Sequence, residues 1–327
     1  MKKGLSVISI CLALILLLST SLYSVAASTE STSISDYTIY DLKDMTVKEK
    51  LDLLKQFEKE YGFGDSTENS VFNYGVSPYW TSGQPYDPDY NLSTMETHEL
   101  MTIDAISLLC DTGYFITKDA AQALVLTLFI AKASALPDRQ ISGVGMLYAG
   151  HFYNPETEKS FLPVSSTARS NMKKNYNAAK DKFQTSDGKN IESQSFQDAL
   201  ENLGKMLHFV QDACEPHHSS NEIALLGIKT PHSEFESYVF KNYEECSKNY
   251  GWDCNEYERC LTQGKDDISM IVHRAAIASH VFIDTVNDLE HREQWSNTGG
   301  ICARKSILMS AIALRIAFEN NGVLVKL

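Results

Sequence analysis

Apolar residues recur at every third or fourth position over most of the chain beyond Thr97, which is the period of an amphipathic helix. The pattern predicts helices over residues 98–110, 119–136, 165–183, 194–213, 232–247, 265–290 and 302–318. The alternation of polar and apolar positions that is typical of strands is nearly absent. We therefore expect an all-α fold, a single helical bundle whose facing helices can enclose an interior site.

The segment before this bundle is polar and rich in Ser, Thr, Asn, Tyr, Gly and Pro. One stretch within it, Thr46 to Tyr61, has the helical period, and Leu51, Leu54 and Phe57 form its apolar stripe. We expect residues 28–79 to be a propeptide or N-terminal extension, and residues 80–327 to form the main domain.

The first 27 residues have the pattern of a secretory signal peptide. Lys2 and Lys3 precede an apolar run from Leu5 to Leu18, and the small residues Val25-Ala-Ala27 stand before Ser28. The apolar run is shorter than the ~20 residues that a membrane span needs. We therefore expect cleavage after residue 27 and a secreted, extracellular protein.

Export places the cysteines in an oxidising compartment, where disulfides form. Six cysteines remain after the signal peptide, and six cysteines allow 15 pairings. Cys246, Cys254 and Cys260 lie in a polar stretch that has the composition of a long connection. We expect at least one disulfide within this stretch, or from it to Cys302. A thiolate zinc site is less favoured because the chain has no CxxC pair.

The net charge of −13 excludes one class of partner. A broad electropositive surface is needed to bind a long nucleic acid or an anionic membrane by neutralising phosphates, and this composition does not supply one. We therefore expect no nucleic-acid partner. A metal site that handles one phosphate remains compatible with an acidic chain, because bound cations dominate the local field.

Histidines and carboxylates stand at helical spacing within residues 208–236. His208 and Asp212 are four residues apart, as are His232 and Glu236, so each pair projects from one face of a helix. Neutral imidazole and carboxylate are ligands that suit zinc. Because an unpaired buried carboxylate is costly, such a cluster predicts a compensating cation.

Two adjacent histidines, His217 and His218, follow the turn at Pro216. Their position between the two helical pairs makes either of them a candidate ligand. The residues alone do not say which side chain faces the metal.

The motif order resembles that of the bacterial zinc-dependent phospholipase C family, which includes the catalytic domain of clostridial alpha-toxins. The motifs are Thr97-His98-Glu99-Leu100, Gly150-His-Phe-Tyr-Asn-Pro155, His208-x3-Asp212-x5-His218 and His232-x3-Glu236. The resemblance runs from about Trp80 to the C-terminus. It implies an all-helical domain with three zinc ions in a cleft.

The resemblance also implies which residues hold the three ions. One zinc would be held by Asp138, His151, His208 and Asp212, and a second by His218, His232 and Glu236, so that the family spacing selects His218 over His217. The third would be held by His98, by Asp212 as a bridging ligand, and by the amino and carbonyl groups of Trp80. Asp138 would also be the catalytic general base. Read without the family, Asp138 is a cap that ends the helix before it.

Trp80 can supply an amino ligand only if the chain is cut immediately before it, because a peptide nitrogen within the chain does not coordinate readily. The resemblance therefore implies a zymogen that an activating protease converts. Read without the family, Trp80 is one aromatic residue in a Tyr-rich surface segment.

The activity implied is hydrolysis of glycerophospholipids such as phosphatidylcholine to diacylglycerol and a phosphorylated head group, by water that zinc activates. The partner would be phospholipid at a membrane surface, and we expect a monomer. Arg139 and Tyr148 occupy positions where choline-preferring members have aromatic residues. Tyr148 retains a face for a quaternary ammonium, whereas Arg139 repels one. We expect a weakened choline preference.

Two other functions compete with this interpretation. The single-strand-specific nucleases are similar in helical fold and trizinc site, but the segment Gly150-His-Phe-Tyr-Asn-Pro155 and the acidic composition favour the phospholipases. A non-catalytic secreted zinc-binding protein is the other alternative, and it would not need Asp138. The residues after the last predicted helix are too few for the lipid-binding β-sandwich of the toxic relatives, so we do not expect strong haemolysis.

Overall fold

The computed structural model describes residues 33–61, 97–139, 148–186, 193–223, 230–248 and 254–327, without the side chains of Arg139, Tyr148 and Cys254. The chain divides into two compact units, residues 1–36 and 37–327. The described part of the first unit holds a single 3-10 turn, Ile34–Asp36. The expected signal peptide, the boundary at residue 80 and Trp80 itself lie outside the described residues.

The described part of the second unit is almost entirely helical, which confirms the expected all-α fold. The helices are α1 Val47–Tyr61, α2 Thr97–Asp111, α3 Ala120–Ser134, α4 Leu136–Arg139, α5 Ala168–Thr185, α6 Gln194–Asp212, α7 Pro216–Ser220, α8 Pro231–Lys241, α9 Tyr243–Cys246, α10 Cys254–Asp266, α11 Met270–His280, α12 Ile283–Asn287 and α13 Trp295–Asn320. Short 3-10 turns span Asp41–Lys43, Tyr148–His151 and Arg292–Gln294. The two described strands, β1 Tyr114–Phe115 and β2 Val325–Lys326, pair antiparallel, with Tyr114 opposite Lys326.

The predicted helix over 265–290 is three helices in the structure, α10, α11 and α12. The first break follows Asp267, whose carboxylate accepts a hydrogen bond from the Ser269 backbone N–H at 3.2 Å. Such a local bond competes with helix continuation. The stretch that we expected to be a connection is largely α10, and α13 begins at Trp295, earlier than predicted.

The centre of the bundle is α3, which packs against α2 on one side and α6 on another. Its N-terminus is capped by Asp119, which accepts hydrogen bonds from the backbone N–H groups of Ala121 and Gln122. The stretch Ala120–Asp138 is long and apolar enough to cross a membrane by length and composition, but 67% of it is buried in the protein. It is therefore a core helix of the bundle.

Gly204 allows α6 to approach α3 closely. A Cβ atom at this position would lie 2.5 Å from the Cβ of Ala133 and 2.6 Å from the carbonyl oxygen of Ile130, closer than real Cβ atoms come. The approach brings the C-terminal half of α6 to the end of α3. There the ring of His208 lies 2.9 Å from the carbonyl oxygen of Ser134.

The N-terminal helix α1 is packed into the same unit as the bundle. Its predicted apolar stripe is buried, with Leu51 and Leu54 each 2% exposed and Phe57 fully buried. The helix lies against α2 and α3. Part of the predicted extension is therefore part of the core.

The expected disulfide is not formed by the cysteines whose side chains are described. Cys246, Cys260 and Cys302 are free and buried, as are Cys110 and Cys214. The expectation failed because it assumed a flexible connection that could bring thiols together, whereas helix packing sets the direction of each side chain. Burial also raises the pKa of the Cys246 thiol to about 11.

Candidate metal centre

Five of the predicted site residues converge where α2, α4 and α6 meet the 3-10 turn at residues 148–151. We call this group the aspartate cluster, and all five of its side chains are buried: His98, Asp138, His151, His208 and Asp212. His208 and Asp212 point the same way because they are one helical turn apart on α6. The packing of these helices and the turn brings together residues that are up to 114 positions apart in the sequence.

Asp212 is the most connected member of the aspartate cluster. Its Oδ2 atom lies 2.9 Å from Nδ1 of His151 and 3.1 Å from Nε2 of His208. Its Oδ1 atom lies 3.5 Å from Nε2 of His98. The two oxygens therefore face different histidines, which is the arrangement that a bridging carboxylate needs.

Asp138, on helix α4, faces the same three histidines. One oxygen lies 3.3 Å from Nε2 of His208 and 3.6 Å from Nδ1 of His151. The other lies 3.7 Å from Nε2 of His98. Asp138 lies on α4, a short helix separate from α3. Its contacts with the histidines place its side chain in the cluster.

A second group, which we call the glutamate cluster, consists of Glu215, His218, His232 and Glu236, and each offers a ligand atom within 4.8 Å of the others. Glu236 Oε1 lies 3.1 Å from Nε2 of His232 and 3.3 Å from Nε2 of His218. Glu215 Oε2 lies 3.8 Å from Nε2 of His232. All four side chains are buried.

Two helix starts hold the glutamate cluster in place. Helix α7 begins with Pro216 at its first position and with Glu215 as its N-cap, which accepts a hydrogen bond from the His218 backbone N–H. Helix α8 begins with Pro231 after Thr230, whose side chain and that of Ser233 form a capping box. Proline and cap residues therefore fix both helix starts next to the ligand candidates.

Of the adjacent histidines, His218 is in the glutamate cluster and His217 lies behind it. The ring of His217 stacks on that of His232, with centroids 4.7 Å apart and planes at 8°. Its Nδ1 lies 2.7 Å from Glu215 Oε1 and its Nε2 lies 3.2 Å from Asn287 Oδ1. The residue is buried, so it is a buried neighbour of the cluster and does not face solvent.

Glu215 was missed in the sequence analysis. Its position directly before Pro216, within the same motif as Asp212 and His218, was the available signal. A carboxylate directly before Pro216 can also be a helix cap, and in the structure Glu215 makes the cap hydrogen bond. Only the fold shows that α8 brings His232 and Glu236 against the same carboxylate.

The two clusters are neighbours. His218 Nδ1 lies 3.8 Å from Oδ1 of Asp212 and 3.2 Å from the carbonyl oxygen of His151. Phe152, the residue after His151, stacks on the His218 ring with centroids 4.6 Å apart and planes at 3°. An ion in one cluster would therefore lie close to an ion in the other.

Hydrogen bonds behind the aspartate cluster orient its rings. Nδ1 of His98 lies 2.7 Å from Oε1 of Gln211, and the Gln211 amide donates to the hydroxyl of Thr102 at 3.0 Å. Ser134 plays the corresponding part for His208 through its carbonyl oxygen. Both rings therefore turn Nε2 toward the carboxylates, the tautomer and orientation that a metal ligand requires.

The electrostatics of the aspartate cluster favour ionised carboxylates. Burial alone would raise the pKa of Asp212, but the charges of His208 and His151 lower it well below its usual value. The pKa of Asp138 is lowered in the same way, against burial, chiefly by His208. Burial and the proximity of His208 lower the pKa of His98 to about 4, so this ring stays neutral at neutral pH.

The glutamate cluster contains two carboxylates with opposite behaviour. Burial, together with the charge of Glu215, raises the pKa of Glu236 well above its usual value. Glu215 is also desolvated, but His217 and His232 lower its pKa to about 2. Burial lowers the pKa of His232 to about 4. Without a cation, two buried carboxylates whose oxygens lie within 4.8 Å of each other oppose each other's ionisation.

The donor set fits a metal ion. Nε2 of His98 and Oε2 of Glu236 are buried and have no hydrogen-bond partner among the described residues. Buried polar atoms normally have a partner, so each of these atoms calls for an explanation. Neutral imidazoles and ionised carboxylates that converge in a buried site are the ligands of borderline metals such as zinc.

Three predicted site residues are not placed by the structure. Trp80 lies outside the described residues, and so do the side chains of Arg139 and Tyr148. Besides His217, three histidines lie outside both clusters. His273 Nδ1 is 2.8 Å from the hydroxyl of Tyr153, and His280 Nδ1 is 2.9 Å from the hydroxyl of Ser220. His291 is exposed, and its Nδ1 lies 2.7 Å from Oδ2 of Asp288.

Sequence comparison links the chain to proteins of one name. It is 26% identical to a phospholipase C of Bacillus cereus over 144 residues, which is 43% of this chain and 45% of that protein. It is 29% identical to a phospholipase C of Paraclostridium bifermentans over 139 residues, 39% of this chain and 29% of that protein. Parts of the chain are therefore similar to bacterial phospholipases C. The resemblance expected from the motif order is thereby confirmed, although no protein-family model matches.

Solved structures of two clostridial alpha-toxins share the fold of this chain. The alpha toxin of Clostridium absonum aligns with a TM-score of 0.55 and 18% identity, over 69% of this chain and 63% of the toxin. The alpha-toxin of an avian strain of Clostridium perfringens aligns with a TM-score of 0.50 and 18% identity, over 69% and 64%. The chain spans less than half the length of the curated relatives it matches and under two thirds of these structures.

Proposed function

We propose that this protein is a zinc-dependent phospholipase C, which hydrolyses glycerophospholipids to diacylglycerol and a phosphorylated head group. The observation that carries the proposal is the pair of neighbouring buried clusters, joined by the contact between His218 and Asp212, in a chain related to bacterial phospholipases C. A phosphodiester needs both its negative charge and its departing oxygen stabilised, and adjacent cation sites serve that need.

Three zinc ions are proposed, as the resemblance implies. The aspartate cluster would hold one ion through Asp138, His151, His208 and Asp212, and the glutamate cluster a second through His218, His232 and Glu236. The third would be held by His98 and Asp212, together with Trp80 once the chain has been cut before it. The geometry of Asp212 supports this sharing, because its Oδ1 faces His98 and its Oδ2 faces His151 and His208.

When bound, zinc supplies Lewis acidity, which withdraws charge from the phosphoryl oxygens and makes water nucleophilic near neutral pH. The chain supplies a proton acceptor and a fixed geometry. Asp138 is buried among histidines that lower its pKa, so its carboxylate is ionised and can accept the proton of the attacking water. Gln211 and the Ser134 carbonyl hold the rings of His98 and His208 in place.

The substrate is proposed to be phospholipid at a membrane surface outside the cell, after secretion through the signal peptide. The protein would act as a monomer, and a protease that cuts before Trp80 would complete the third zinc site. Arg139 and Tyr148 are proposed to contact the head group. Arg139 is proposed to weaken the preference for choline, because it repels a quaternary ammonium, and to leave the site tolerant of ethanolamine or anionic head groups.

The experiment that tests this function is diacylglycerol release from mixed phospholipid vesicles by the purified secreted protein. We expect release that a zinc chelator abolishes and added zinc restores. Absence of release from protein whose N-terminus is confirmed as Trp80 would contradict the proposal. If no diacylglycerol is released, incubation with single-stranded DNA tests the nuclease alternative. If diacylglycerol is released, a comparison of lipids with different head groups tests the role of Arg139.

A further inference from the structure

We propose that Glu215 is a fourth protein ligand of the glutamate cluster, so that this metal site is closed by Glu215, His218, His232 and Glu236. The identity of the ion as zinc rests on the proposed function. The resemblance implied only three of these ligands, and Glu215 enters on the geometry of this chain alone.

The position of Glu215 is fixed by its surroundings. The side chain is fully buried, and its Oε2 atom accepts a hydrogen bond from the His218 backbone N–H at 2.7 Å. Its Oε1 atom lies 2.7 Å from Nδ1 of His217, whose other nitrogen faces Asn287. A carboxylate held at both oxygens loses little further freedom on binding an ion, as in sites where outer partners orient a ligand.

The oxygen that faces the cluster retains the capacity to coordinate. Each carboxylate oxygen accepts two interactions, and Oε2 of Glu215 uses one of them for the His218 N–H. The same oxygen lies 3.8 Å from Nε2 of His232. Its second acceptor direction is therefore available toward the centre of the cluster.

The spacing of the donors suits a tetrahedral site. Two ligands that each lie ~2.0–2.1 Å from zinc at a tetrahedral angle are about 3.3 Å apart. The contacts of Glu236 Oε1 with His232 and His218 are 3.1 and 3.3 Å, and the contact between Glu215 and His232 is 3.8 Å. A shift of about half an ångström would place Glu215 at the same ligand spacing.

The charge of the cluster points the same way. Glu215 and Glu236 are both fully buried, and a cation is the species that allows two adjacent carboxylates to remain ionised without water. A divalent ion bound by two carboxylates and two neutral imidazoles forms a neutral site. Oε2 of Glu236 has no hydrogen-bond partner among the described residues, and a bound cation would satisfy this buried oxygen.

Glu215 would also join two helices through one ion. Glu215 is the N-cap of α7, which carries His218, whereas His232 and Glu236 belong to α8. An ion held by all four would fasten α7 to α8 and so position His218 beside Asp212.

The test compares zinc binding by the full-length protein and its Glu215→Gln variant at buffered free zinc. Gln keeps the size of the side chain and an acceptor for the His218 N–H. We expect one zinc fewer per chain, or a fall in affinity at one site beyond the roughly 10–100-fold that loss of an outer partner causes, as in the benchmark variant Glu236→Gln. The exposed Glu245, which pairs with Lys248 on the surface, is the control as Glu245→Gln and should bind like the unmodified protein.

Cobalt substitution distinguishes a ligand from a residue that only orients one. Loss of a ligand should replace part of the visible absorption of tetrahedral cobalt by the weaker absorption of a site with more water. An unchanged cobalt spectrum in Glu215→Gln overturns the inference, whether or not the zinc affinity falls. Because metal binding is measured without lipid, this failure is distinct from a failure to release diacylglycerol.

A second measurement applies if the variant does not fold. A crystal structure of the unmodified protein grown with zinc gives the distance from the ion to Oε2 of Glu215 directly. A distance of ~2.0–2.2 Å supports the inference. A water molecule in that ligand position, with Glu215 outside coordination distance, overturns it.

Discussion

Lys50 of α1 and Asp104 of α2 form a buried ion pair, with the ammonium nitrogen 2.5 Å from the carboxylate. The second oxygen of Asp104 accepts a hydrogen bond from the hydroxyl of Tyr243 at 2.9 Å. A further pair joins Lys132 of α3 to Glu58 of α1 and to Glu99 of α2, the neighbour of His98. Helix α1 is therefore joined to the helices that carry the site by charge as well as by apolar contact.

The substitution Lys50→Ala should strongly destabilise the protein. It would leave Asp104, which is 1% exposed, with its charge uncompensated except by Tyr243. Removing one partner of a buried pair typically lowers the free energy of unfolding by about 3–5 kcal/mol. Urea unfolding measures the loss, and the exposed pair of Lys43 with Asp111 provides the control, since Lys43→Ala should unfold almost like the unmodified protein. Equal losses in the two variants would contradict the prediction.

Cleavage before Trp80 should not release α1. Phe57, Leu51 and Leu54 are buried against the bundle. The buried pair of Lys50 with Asp104 and the partly exposed pair of Glu58 with Lys132 add to the contact. A protease site engineered within residues 62–79 would separate the chain covalently, after which we expect both fragments to elute together in size-exclusion chromatography. Phe57→Ala, which removes a fully buried ring, should lower the free energy of unfolding by ~3–5 kcal/mol and promote release. Complete loss of the small fragment from the unmodified sequence would show that α1 is a removable propeptide.

Local patterns in the sequence were sufficient for the helical fold and for the convergence of the two i, i+4 pairs. His208 with Asp212, and His232 with Glu236, each lie on one helix, so their shared face follows from helix geometry. The predictions that failed concerned features that depend on contacts between distant parts of the chain. Helix α10 is amphipathic and polar, and its composition alone was that of a connection.

Glu215 shows most clearly what the sequence could not supply. Its identity as a cap residue is local, but its place beside Glu236 depends on the packing of α8 against α7. The role of α1 is similar, since the stripe of Leu51, Leu54 and Phe57 predicted a helix without saying what it covers. The partners Asp104 and Lys132 lie far along the chain, where no local pattern reveals them.

The substitution Gly204→Ala should disturb the site from a distance. The added Cβ would meet backbone and Cβ atoms of α3, which cannot move aside independently. Overpacking of this kind costs ~1–3 kcal/mol of unfolding free energy. It should also displace α6, which carries His208 and Asp212, and so weaken metal binding in a dialysis assay.

Gly264→Ala is the control for this experiment. The added Cβ would meet the terminal side-chain carbon of Ile316, which can rotate away. We expect a smaller loss of stability and unchanged metal content. A Gly204→Ala protein with the stability and metal content of the unmodified chain would show that α3 and α6 are less tightly packed than in the structure.

The five described cysteines should react with alkylating reagents only after unfolding. The thiolate is the reactive form, and burial raises the pKa of Cys110 and of Cys214 to about 12, while Cys302 is shifted well above its usual value. Iodoacetamide treatment of native and of guanidinium-unfolded protein, without reductant, followed by peptide mapping, measures this. Recovery of Cys246, Cys260 or Cys302 in a disulfide-linked peptide would restore the original expectation of a bridge, and a linked Cys110 or Cys214 would contradict the burial of these thiols.

Removal of metal should destabilise the native protein more than any single exposed substitution does. The aspartate cluster holds two ionised carboxylates, Asp138 and Asp212, out of water, and a bound cation stabilises only the folded arrangement. An ion present at 100 times its dissociation constant adds about 2.7 kcal/mol to the free energy of unfolding. Thermal unfolding with and without a chelator should therefore show a lower Tm without metal, and the difference should grow with the free zinc concentration.

The variant Asp212→Ala should reduce that zinc-dependent difference, because Asp212 contacts the histidines of the aspartate cluster. Its Tm should fall less than that of the unmodified protein when chelator is added, since the glutamate cluster keeps its own four donors. The exposed His291, whose partner Asp288 is also on the surface, provides the control, since His291→Ala should keep the full response to zinc. If Asp212→Ala retained the zinc response of the unmodified protein, the metal would be bound elsewhere, and Asp212 would not link the two clusters.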